Sequence, residues 1–307
     1  MVKWIFNRVA DILLALLVMT VVLWYVLTQP MFSFSSQRAE QLGLDRYALE
    51  LGLRELLAIP ASTEDAQNRF AATSLYLSEQ LAGIGPIEQI DRGEGQKVLR
   101  LKVGQGGKQR LFVALHYVVT DKPILEMAES AVSLIELAKA INKEPEVAVQ
   151  LNLSIFLHHP DQLGQSLNEI SAYHVDQLVQ SQVEGSPVLV FMPGLRVPDA
   201  AYISGLWRYF NVLIPSDNND VALFGRLNDV GLIRGLKHSL RSFGLSDVQS
   251  LTIPVNFPDM KASPLKFYWD AGQPAMLMRP NILLHDKNYD GHVRFISALF
   301  GVVKTGY

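Results

Sequence analysis

Residues 149–165 read VQLNLSIFLHHPDQLGQ: an apolar run that stops on two adjacent histidines, His158 and His159, and then breaks at Pro160 into a loop. Such a run, bounded by a turn residue, predicts a buried strand with polar chemistry gathered at its carboxyl end. Outward from it the same alternation recurs. The segments KVLRLKV (97–103), RLFVALHY (110–117) and PVLVFMP (187–193) read as strands. Between them ILEMAESAVSLIELAKAI (124–141) and LNEISAYHVDQLV (167–179) carry apolar residues at helical spacing. Upstream, residues 37–60 show a helical period up to Pro60, and residues 62–85 open on a capping-box pattern and close on glycine. Strands alternating with helices predict an α/β three-layer sandwich: a mostly parallel, mixed central sheet with helices on both faces and a crevice at the strand carboxyl ends. His116, His158 and His159 all fall at such ends.

Composition narrows the function classes. The chain has 307 residues, 49% of them hydrophobic, enough for one large domain and an accessory element. Its 27 Lys and Arg against 30 Asp and Glu give a net charge of −3 with no basic cluster, which argues against nucleic acid as a partner. With no cysteine, disulfides, thiolate zinc sites and thiol nucleophiles are excluded.

At the N-terminus Lys3 and Arg8 precede ILLALLVMTVVLWYVL (12–27), with Trp4 at one end and Trp24 and Tyr25 at the other. This run comes close to the roughly 20 residues of a spanning helix, and the aromatic belt and the leading positive charge fit a signal anchor with the N-terminus inside. The competing reading is a signal peptide cleaved near Ser33 to Ser36. The expected organisation is an N-terminal membrane anchor over 1–30, a membrane-proximal helical linker over 31–63 and an α/β domain over 64–307. The implied location is a bacterial inner membrane, with a cytoplasmic N-terminus and a periplasmic bulk.

Four segments in order give this chain a family resemblance: VALHYVV (113–119), LEMAESAVSLIELAKAI (125–141), FLHHPDQLGQ (156–165) and SPLKFYWDAGQPA (263–275). From about Glu64 to its end it resembles the di-zinc exopeptidases of the aminopeptidase and glutamate carboxypeptidase type, which include the non-catalytic transferrin receptor ectodomain. In that family two zinc ions about 3.5 Å apart share a bridging carboxylate, and a glutamate deprotonates their water. The resemblance puts the first histidine ligand at His116, but Val118 stands where the aspartate that orients it belongs. The bridging aspartate falls at Leu125 or Glu126, the general-base glutamate at His158 and the glutamate ligand at His159. A further aspartate falls near Phe191 or Met192, and the last histidine falls where Tyr289 is followed by Asp290. The family's Ser-Asp-His triplet is Ser263, Pro264 and Leu265.

Two function classes follow. In the first, the resemblance implies a membrane-anchored, inactive exopeptidase-like domain, with no cofactor, that binds or positions another envelope protein. His158 then stands in the degenerate general-base position and no residue is catalytic. In the second, His116, Glu126 and His159, with Asp290 as a further candidate, hold one zinc in a rearranged peptidase or amidase. Against ligation, adjacent strand residues point to opposite faces, so only one of His158 and His159 enters the site. Glu126 and Glu129 also read as a solvated helical face. Elsewhere SDNNDVALFG (216–225) reads as a capping loop rather than a calcium loop, and GLIRGLKHSLRSFGL (231–245) as an amphipathic outer helix.

Overall fold

A computed structural model describes residues 9, 11–20, 44–62, 65–93, 95–105, 109–144, 146–181, 185–193, 220–253, 255, 263–283 and 289–306. The described residues build one eight-stranded mixed sheet. In chain order its strands are β1 (Ile87–Asp91), β2 (Gln96–Val103), β3 (Gln109–Val118), β4 (Val149–His158), β5 (Val188–Phe191), β6 (Val221–Arg226), β7 (Val248–Ile253) and β8 (Ala275–Arg279). Across the sheet they lie in the order β1-β2-β4-β3-β5-β8-β6-β7. The central β4-β3-β5-β8 pairings are parallel, as is β6 with β7, while β1, β2 and the β6–β8 pairing are antiparallel. β3, β4 and β5 read as continuous apolar runs because helices cover both of their faces.

The helices are α1 (Arg46–Ser62), α2 (Ala66–Ala82), α3 (Leu125–Asn142), α4 (Leu163–Gln180), α5 (Val230–Ser242), α6 (Pro264–Asp270) and α7 (Asp290–Thr305). One layer contains α1, α2, α3, α5 and α7; α4 and α6 pack together in the other. The layer assignment explains the burial of α3, whose residues from Met127 to Ala138 are all buried between the sheet, α1 and α7. Glu129 is among them, so it does not lie on the solvated face that its spacing suggests. α1, assigned from sequence to a linker, contributes Leu49, Leu53 and Leu56 to the same core and continues past Pro60 to Ser62. α2 is capped by Asp65, whose carboxylate accepts the Asn68 amide at 3.0 Å, one turn inside the expected capping box.

VALFG within 216–225 is strand β6 rather than a loop. The acidic residue before it acts locally, since Asp220 accepts the amides of Ser246 and Asp247 at 2.7 and 3.0 Å and so fixes the turn into β7. Of the expected membrane span, residues 12–20 are helical and 21–27 lie outside the described residues. Among the described residues no helix is long and apolar enough to cross a membrane.

Leu134 and Leu137 of α3 are at most 1% exposed. Replacing either with alanine is expected to destabilise the domain by about 2–5 kcal/mol, the range for large-to-small core changes. Denaturant melts check this, and an unchanged midpoint in both variants would contradict the packing of α3 on the sheet.

Candidate functional site at the strand ends

β3 and β4 run parallel with His116 beside Phe156 and Val118 beside His158. Register partners share a face and side chains alternate along a strand, so His116, Phe156, Val118 and His158 all project toward α4. The two histidine rings stack there at 5.2 Å between centroids, and His116 Nδ1 lies 3.0 Å from His158 Nε2. The other nitrogen of His158, Nδ1, lies 2.6 Å from Ser166 Oγ on α4. All three residues are fully buried, and His116 Nε2 has no hydrogen-bond partner among the described residues.

The cluster continues as an aromatic stack. Phe156 sits between His116 and His174, at 5.1 and 5.2 Å from their rings, and His174 Nδ1 lies 2.8 Å from the Tyr268 hydroxyl on α6. Burial pushes His116 down to about 3. Burial and then the charges of Arg100 and His116 bring His174 to about 3, and burial and then His116 hold His158 well below the ordinary imidazole range. Burial raises the Tyr268 phenol. The site is therefore a set of neutral rings, poor in charge and closed to water.

Of the sequence-derived candidates, His116 meets His158, not His159. His159 follows the end of β4, where its ring accepts the Asp161 amide at 3.4 Å and its own amide bonds the Gly95 carbonyl at 2.9 Å. Gly95 has φ +78, and a Cβ there would stand 2.6 Å from His159 Cβ, so only glycine fits that approach. Glu126 occupies the first turn of α3, in the opposite helical layer from α4. Asp290, at the start of α7, pairs with Arg46 of α1 at 2.5 Å in an exposed salt bridge.

A zinc centre requires several lone pairs aimed at one point, with carboxylate charge between two metals. Among the described residues no group of three or more His, Asp and Glu could hold a metal ion, and the buried cluster contains no carboxylate. The described residues assemble no di-zinc ligand set. Sequence reasoning missed Ser166, His174 and Tyr268. The available signal was the i, i+4, i+8 spacing of Ser166, Ile170 and His174, which puts three buried residues along one side of α4.

The turn of residues 263–275 is architectural. Trp269 Nε1 donates to the Ala275 carbonyl at 2.8 Å, and Gly272 holds φ +77. Arg226, at the end of β6, donates to the carbonyls of Trp269 and Gly272 at 2.9 and 3.4 Å and to Asp229 at 2.7 Å.

No protein-family model and no curated protein matches the sequence. Solved structures do match. Porphyromonas gingivalis glutaminyl cyclase aligns at 8% identity over 85% of this chain and 97% of its own, with a TM-score of 0.52. A Zn-dependent exopeptidase from Parabacteroides distasonis aligns at 9% identity over 85% of this chain and 98% of its own, with a TM-score of 0.52. The Legionella pneumophila LapA aminopeptidase aligns at 12% identity over 90% of this chain and 77% of its own, with a TM-score of 0.51. At such identities the likeness speaks for architecture and not for activity. The chain has the fold of the zinc-dependent exopeptidases and glutaminyl cyclases.

Proposed function

We propose that the chain is a membrane-anchored, non-hydrolytic domain of exopeptidase fold that binds or positions another protein in the bacterial cell envelope. The observation that carries this reading is the strand-end cluster. His116, His158 and Ser166 are buried and bonded to one another, with no carboxylate among them to bridge metals or to take a proton from water. A fold can outlive such a site because its stability resides in the core.

Anchoring is supported by the N-terminal helix, whose apolar side chains Val9, Ile12, Leu13, Leu14, Leu16, Leu17, Val18 and Met19 are 49–68% exposed. In this reading residues 12–27 span the inner membrane, the short basic leader stays in the cytoplasm and the domain lies in the periplasm. The full-length chain is expected to stay with membranes through alkaline extraction, to require detergent for release, and to be digested by protease added outside spheroplasts. It is expected to turn over no aminoacyl or glutaminyl reporter. Recovery from the soluble fraction with an intact N-terminus would overturn the anchor; turnover abolished by His116→Ala would overturn the non-hydrolytic reading.

A further inference from the structure

We infer that Ser166, His158 and His116 form a buried, one-way hydrogen-bond chain that takes the place of a metal centre at the strand ends, with both imidazoles protonated on Nε2. The inference deepens the non-hydrolytic reading and rests on it. Its basis is a count of donors and lone pairs.

Each neutral imidazole has one N–H and one lone pair, and a serine has one O–H. The 3.0 Å contact between His116 Nδ1 and His158 Nε2 needs one donor and one acceptor. Two directions satisfy it. In the first, the Ser166 hydroxyl donates to His158 Nδ1 and His158 Nε2–H donates to His116 Nδ1, which leaves the N–H on His116 Nε2. In the second, His116 Nδ1–H donates to His158 Nε2 and His158 Nδ1–H donates to Ser166 Oγ.

The second direction strands two groups. His116 Nε2 keeps an unshared lone pair in a fully buried position, and the Ser166 proton needs another acceptor. The contact with His158 is the only hydrogen bond of the Ser166 hydroxyl among the described residues. The first direction strands one group, the His116 Nε2–H. Each buried polar group left without a partner forfeits its hydration with nothing in return, so the direction with one orphan is favoured over the direction with two.

The chosen direction has a chemical consequence. His158 spends its lone pair on Ser166, His116 spends its lone pair on His158, and the remaining ring nitrogens carry protons. Neither ring has a lone pair left for a metal, which requires the unprotonated nitrogen. Ligation would have to break the chain, strip a proton from His116 Nε2 and admit the ion to a position closed to solvent. The chain also ties α4 to the ends of β3 and β4, so Ser166 acts as a positioning residue.

The test is long-range proton–nitrogen NMR of the full-length chain in detergent with nitrogen-labelled histidine, recorded before and after one equivalent of zinc chloride. The expected spectrum shows His116 and His158 as Nε2–H tautomers at neutral pH, assigned through His116→Gln and His158→Gln, and unchanged by zinc. In Ser166→Ala the His158 Nδ1 resonance is expected to move toward that of a free lone pair while the Nε2–H tautomers persist, a change that general destabilisation would not produce. An Nδ1–H tautomer at either ring would overturn the direction. Loss of the His116 Nε2–H signal on adding zinc would overturn the chain as a substitute for metal. Reporter hydrolysis with these tautomers intact would sink the non-hydrolytic reading and leave the chain standing, so the two failures are distinguishable.

Discussion

Lowering the pH from about 7.5 to about 5.5 is expected to remove roughly 4 kcal/mol of folding stability, well before the carboxylates titrate. The reason is the buried imidazole layer. His116 and His174 are held near 3 and His158 well below its ordinary range, chiefly by burial, with no acidic group in the cluster to accept their charge. An unfolded histidine titrates near 6.5, so below that pH the unfolded chain binds more protons than the folded one. Stability is therefore complete above about 6.5 and is lost as the pH falls toward the folded values. Each such group contributes about 1.4 kcal/mol per pH unit once the unfolded form is protonated, and three act together. Denaturant midpoints measured across this interval check the slope. His174→Phe, which keeps the ring volume beside Phe112 and Phe156, should flatten it by about a third. A flat profile in the parent chain would contradict the neutral, sealed cluster.

Arg226→Ala is expected to destabilise the domain by about 3–5 kcal/mol, the range for breaking a buried ion pair by removing one partner. Arg226 and Asp229 are each 9% exposed. Burial already lifts the Asp229 carboxyl above its usual range, and only the bond and charge of Arg226 pull it back. Without the guanidinium the carboxylate is left uncompensated, and the Trp269 carbonyl loses its 2.9 Å donor at the turn that carries Gly272. Arg226→Met combined with Asp229→Leu should recover part of the loss, because a buried pair replaced as a unit leaves no stranded charge. A single variant within about 1 kcal/mol of the parent would show that the pair does not hold the turn between α6 and β8.

These residues show what sequence could and could not reveal. The central strands were legible because β3, β4 and β5 are covered on both faces and appear as unbroken apolar runs. The turn of residues 263–275 was legible because Gly272 at φ +77 and Pro274 two residues on serve a backbone requirement that composition records. β6 and β7 were not recognised: VALFGR follows an acidic run, and VQSLTI is short, with polar residues inside it. α7 escaped because its buried side includes Gly291, His292 and Ser297 as well as apolar residues, which blurs the period.

The site divides similarly. That only one of the two adjacent histidines would enter it followed from strand alternation, and His158 is that one. That its partners would be His116 and Ser166 did not follow, since register between β3 and β4 and the seating of α4 are tertiary facts. His159 was favoured as a ligand because it aligned with a ligand position in the resembled family. In the fold it has already left the strand and packs against Gly95 instead.

If the strand ends hold a hydrogen-bonded imidazole pair in place of a hydrolytic metal centre, the chain has no use for zinc there. Elemental mass spectrometry of the full-length chain, purified in detergent and dialysed to equilibrium against buffer containing trace zinc, measures this directly. Well under one zinc per chain is expected, with the same low value for His116→Ala. One tightly retained zinc per chain, lost in His116→Ala, would contradict the imidazole pair.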